Sequence, residues 1–207
     1  MRDDYLFNAV DMFSVMEHQK KCAAEAILKV ESGRLRQADE NDLIAEIVKQ
    51  FALDVPVIQD EKIHVADYGE AQVDVSHEFN RYIPDRSRPF YVPGTKTVIA
   101  VPFTGDAELF KVQPNTFTLT RPFGQIVRNE IRLTYTQAKP DADAIKREYT
   151  KTVQEIKQYL DWQRGSADEL SQQLIQLVRQ KVSERKQKLA AGAQMIESLG
   201  LPVKQGG

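Results

Sequence analysis

The 207-residue sequence predicts an α+β fold: an N-terminal helical hairpin over 1–54, an antiparallel β-sandwich or open barrel over 55–138, and a long C-terminal α-helical hairpin over 139–207. The last two form one structural unit. Three observations carry this prediction. Apolar residues recur every three or four positions near both ends, the section between them alternates apolar and polar residues with period two, and breakers punctuate each change of texture.

The first helix follows from Leu6, Val10, Phe13, Met16, Ala23, Ile27 and Val30, which share one helical face, with Asp3 and Asp4 at its positive end. The chain turns near Ser32-Gly33. Asp39, with Asp42 three residues on, is placed to cap a second helix carrying Leu43, Ile44, Ile47, Val48 and Phe51. Pro56 then disfavours helix at Val55.

In the middle section Ala71, Val73 and Val75 alternate with polar residues, and residues 95–103 are β-branched and nearly continuous. Phe117 and Leu119 alternate with threonines, and Ile131, Leu133 and Tyr135 repeat the device after a turn at Arg128-Asn129. Five to seven short strands at this spacing predict the sandwich or open barrel.

The last section opens at Pro140-Asp141 and carries Ile145, Tyr149, Val153, Ile156 and Leu160 on one stripe. Arg164-Gly165 reads as a break and Ser166 with Glu169 as the capping box of a second helix, which runs to Leu199 and stops at Gly200 and Pro202, unless Ala191-Gly192 interrupts it. Leu170, Leu174, Leu177, Val178 and Val182 form its apolar seam, expected to pack against a second copy in a dimer. The flanking stretch from Arg179 to Lys188 is otherwise thinly apolar, which reads as a face that is solvated or used by another chain.

A net charge of -2 supplies no global positive field for nucleic acid, although a local basic patch stays possible. A single cysteine, Cys22, forms no internal disulfide and fits a reducing compartment. With no secretory pattern after Met1 and no apolar run near the roughly 20 residues of a membrane span, the expectation is a cytoplasmic protein with no membrane partner.

The sequence carries no recognisable catalytic constellation, no cofactor motif and no metal-ligand spacing. Phosphate-binding glycine loops and a G-x-S-x-G elbow are absent, and His18, His64 and His77 are scattered without metal-ligand spacing. Glu108 and Lys111, after a turn at Asp106, are the one candidate pair for an unrecognised metal-dependent nuclease.

The most distinctive stretch is residues 80–95. Arg81, Arg86 and Arg88 interleave with Tyr82, Phe90 and Tyr91, a mixture that suits a phosphate, a nucleotide or an acidic peptide, and Arg81, Arg86, Arg88 and Tyr91 are the candidate ligand-binding set. The structural alternative is a proline-braced loop whose aromatics enter the core while its arginines pair with Asp85 and Glu78. Likewise the basic run from Arg179 to Lys188 reads either as a nucleic-acid track or as the solvated face of a helix.

The loop at 85–95 (DRSRPFYVPGT), the following 101–106 (VPFTGD) and the ending 198–202 (SLGLP) together give a resemblance. The chain resembles the N-terminal region of a little-characterised group of bacterial proteins in which a restriction-endonuclease-like domain follows. The resemblance implies that nuclease carboxylates would lie beyond the Leu-Pro segment, so no catalytic residue transfers to this chain. It further implies a C-terminal effector domain or partner protein. The functional expectation is therefore a non-catalytic sensing or assembly module of a bacterial defence-type protein, followed by direct nucleic-acid binding and then by the nuclease.

Overall fold

The structure, a computed structural model, describes residues 5–78 and 81–200. Asp3, Asp4, Asn80 and the Leu201-Pro202 stop lie outside the described residues. The chain divides into two compact units: residues 1–11 with 54–164, and residues 12–53 with 165–207.

The first unit is built on an antiparallel sheet. Its strands are β2 (Val57–Ile58), β3 (His64–Asp74), β4 (Tyr91–Thr104), β6 (Gln125–Val127) and β7 (Glu130–Gln137). The order is β2-β4-β7-β6, with β3 also paired to β4. β4 is central, because Thr95 to Pro102 face Gln137 to Glu130 on one side while Tyr91 to Ala100 face Asp74 to His64 on the other. The sheet does not close into a barrel. A separate parallel pair joins β1 (Val10–Asp11) to β5 (Val112–Gln113).

Alternation explains the core. Ile99, Val101 and Phe103 of β4 and Ile131, Leu133 and Tyr135 of β7 share a buried cluster with Val153, Ile156, Tyr159 and Leu160. A helix therefore meets the apolar face of the sheet, where a sandwich would need a second sheet. The N-terminal segment adds Leu6 and Phe7, and Phe7 stacks on Tyr159 with ring centroids 4.9 Å apart. Phe7 holds a left-handed backbone (φ 57°), which its complete burial outweighs.

The alternating Phe117 and Leu119 form no strand. Prolines at 114 and 122 bracket them, the Thr118 N–H donates to the Tyr159 hydroxyl at 3.1 Å, and Leu119 is fully exposed. Gly94 is fixed by packing: a Cβ there would lie 2.4 Å from the Gln137 carbonyl oxygen and 2.6 Å from a Val73 methyl.

The second unit holds α1 (Met12–Lys29), α2 (Ser32–Gln37) and α3 (Glu40–Phe51). α1 starts later than its apolar spacing predicts, burying Met12, Met16, Ala23 and Ile27 while leaving Phe13 65% exposed. The expected turn at Ser32-Gly33 is instead the start of α2. α3 is capped by Asp39, whose carboxylate accepts the N–H groups of Asn41 and Asp42.

α4 (Ala142–Ser198) replaces the C-terminal hairpin: it is one helix of 57 residues, about 85 Å at 1.5 Å per residue. Arg164-Gly165 does not break it, Ser166 and Glu169 lie within it, and Ala191-Gly192 does not interrupt it. Its residues from Gly165 onward belong to the second unit. There Leu170, Leu174, Val178 and Val182 have no exposed surface and Leu177 is half-buried. This seam is filled from within the chain, so it is not the face on which a second copy docks. Lys20 donates to Gln173 at 3.1 Å, Arg185 to the Ile27 carbonyl, and Lys186 to Glu40 at 2.9 Å, which ties α4 to α1 and α3. Among the described residues, no helix is long and apolar enough to cross a membrane.

Candidate functional site: the loop between β3 and β4

The loop over residues 75–90 is closed at its base by Asp74, whose carboxylate accepts the N–H groups of Ser76 at 2.9 Å and Phe90 at 3.1 Å. The Ser76 bonds, then that of Phe90, hold the Asp74 carboxyl below its usual pKa, although desolvation opposes them. The Val75 N–H bonds the Phe90 carbonyl at 2.9 Å. Val73, Val75 and Ile83 are buried together, with Val92 and Ala138 against them, so the loop has its own small core.

Arg86 organises the remainder. Its guanidinium donates to three backbone carbonyls, Ser76 at 2.9 Å, Glu78 at 3.0 Å and Arg81 at 2.7 Å. A planar fork with several fixed donors suits this task, and a lysine ammonium cannot copy it. Asp85 accepts both the Ser87 hydroxyl at 2.6 Å and the Ser87 N–H at 2.9 Å, which lowers its carboxyl pKa and tightens the turn.

These contacts sort the predicted ligand-binding residues. Arg86 is turned into the loop as a clamp, and Arg81 Nε bonds Glu78 at 3.0 Å, as the structural alternative expected. Arg88 keeps 85% of its side chain exposed, with Asp85 at 3.9 Å. The aromatics do not enter the core: Tyr82 is 91% and Tyr91 59% exposed, and Phe90 is also exposed. Tyr82 and Phe90 thus join Arg88 and Tyr91 on the outer surface of the loop, and their place between arginines and prolines was the sequence signal for them.

The other candidates offer less. Glu108 and Lys111 form an exposed ion pair at 2.8 Å, and among the described residues no three His, Cys, Asp or Glu side chains are grouped to hold a metal. In the basic run, Lys181 pairs with Glu184, while Arg185 and Lys186 are the residues bound to α1 and α3.

A 320 Å³ cavity in the first unit is lined by Tyr5, Phe123, Tyr135 and Glu148, with Thr134, Thr136 and Gln137. Tyr135 is buried, and among the described residues its hydroxyl has no well-formed hydrogen bond, with the Thr152 hydroxyl its polar neighbour. Burial pushes its pKa up to about 12, with the Glu148 carboxylate adding to the rise and Thr152 opposing it. The Thr152 hydroxyl itself donates to the Glu148 carbonyl at 3.0 Å.

Comparison of the chain with protein-family models, curated proteins and solved structures finds no match.

Proposed function

We propose that this chain is a non-catalytic recognition and assembly module of a bacterial defence-type protein, and that the β3–β4 loop is its recognition surface. The observation that carries the reading is a loop cross-linked by its own hydrogen bonds that nevertheless turns Tyr82 and Arg88 outward, with Tyr91 exposed where β4 begins. Tyrosine and arginine dominate the energetics of protein recognition, and a surface ordered before binding loses little entropy on contact. The resemblance to proteins carrying a restriction-endonuclease-like domain supplies the context, with an effector as the natural recipient of the signal.

The test presents purified chain with nucleotides, nucleic acids and purified phage proteins, and measures binding and mass together. Tyr82→Ala and Arg88→Ala are expected to weaken binding of the cognate class about tenfold each, the scale of an interface hot spot. A chain that stays monomeric and binds none of these classes refutes the proposal. The same mixture of guanidinium and aromatic surface also stacks unpaired bases. Affinity for single strands that falls steeply with salt would identify nucleic acid as the partner.

A further inference from the structure

β3 is eleven residues long and, among the described residues, pairs with β4 alone. Along it only Val73 is buried, while Val65 and Tyr68 are 61% and 63% exposed. A long strand with one free edge offers unpaired N–H and C=O groups to another chain.

We propose that this edge pairs antiparallel with the same edge of a second copy, about a two-fold axis through Gly69. The inference rests on the assembly half of the function proposed above and specifies its surface. Gly69 is the central residue of His64–Asp74, so this register overlaps the whole strand. Within the regular stretch Asp67 then faces Ala71 and Tyr68 faces Glu70. Three acidic residues lie on the strand and none opposes another. Centring the pairing on Glu70 or on Asp67 would instead set that carboxylate against its own copy, which is unfavourable.

Gly69 supports the same register. No atom lies within 4 Å of the position its Cβ would take, so its own chain does not demand a glycine there. Glycine inside a strand weakens it and often marks the close approach of another backbone. The irregularity between Val65 and Asp67 confines the regular ladder to residues 67–71, with the outer pairs following the extra residue at 66. Such a contact is isologous and closes as a dimer.

The test uses the full chain. Light scattering across a concentration series is expected to show a mass twice 23.6 kDa. In a Cys22→Ala background, Gly69→Cys places two thiols on the axis, where paired Cα atoms lie about 4.5–5.5 Å apart and within disulfide reach. Oxidised glutathione should then trap a covalent dimer. Ala71→Asp sets two symmetry-related pairs of carboxylates across the axis and should weaken the dimer roughly tenfold, whereas Ala71→Lys, facing Asp67, should tighten it. Circular dichroism checks that each variant is folded. A dimer indifferent to both Ala71 substitutions and untrapped at Gly69 overturns this inference and leaves the broader assembly reading standing. A monomer throughout overturns this inference and the assembly reading together.

Discussion

Gly165 is the sharpest probe of the long helix, because a turn and a helix make opposite demands on it. Within α4 the position is exposed, and a Cβ added there meets no atom within 4 Å. Gly165→Ala therefore removes the entropic cost of glycine in a helix without adding a clash, worth about 1 kcal/mol. For a chain of this size that corresponds to a rise of roughly 2–4 °C in melting temperature. Gly192→Ala has the same open surroundings, and at a separation of about 40 Å along the helix the two gains should add. Thermal and urea unfolding followed at 222 nm measure both variants and the double. Were residues 164–166 a turn between two helices, with glycine in a left-handed conformation, alanine would be destabilising. A loss of stability in Gly165→Ala would therefore refute the continuous helix.

Gln163 is fully buried and donates from Nε2 to the carbonyls of Leu109 at 2.8 Å and Val112 at 2.7 Å, so Gln163→Leu should cost about 2–4 kcal/mol in urea unfolding. Arg86→Lys should leave global stability nearly intact but accelerate amide exchange and proteolysis within residues 75–90, because a single ammonium nitrogen cannot reproduce the spread of two guanidinium nitrogens across carbonyls on separate sides of the loop. The raised pKa of Tyr135 favours the neutral phenol in the folded state. Its contribution to stability is complete below about pH 10 and is lost as pH rises towards 12. Absorbance at 295 nm should show a late tyrosinate step that Tyr135→Phe removes.

Local signals were legible in the sequence where they agreed with their surroundings. Asp39 caps α3 as its position predicts, and the alternation of Ile131, Leu133 and Tyr135 marks the buried face of β7. Gly165 misleads because a helix tolerates one glycine when an apolar stripe continues across it, here through Leu160, Ala167, Leu170 and Leu174. The seam on α4 was legible as apolar, but its partners lie some 150 residues earlier, and no local pattern announces them. In the loop, three arginines look alike in sequence. Arg86 becomes a clamp only because the fold brings three carbonyls to it, and Tyr82 points outward only because Val75 and Ile83 already fill the small core.

The N-terminal segment bears on how the protein can be made. Residues 1–11 belong with 54–164, so the backbone leaves the first unit, returns to it, and leaves again. During synthesis Phe7 precedes the ring on which it stacks, Tyr159, by some 150 residues. The β unit therefore waits for Tyr159 before its core can close, and that delay exposes the long β3–β4 pair to unwanted contacts. For the same reason a fragment beginning at residue 54 would lack Leu6 and Phe7, leaving apolar space beside Tyr159. Dissection should instead keep residues 1–11 with 54–164 and remove 12–53 together with the part of α4 from Gly165 onward, whose apolar seam would otherwise be left uncovered.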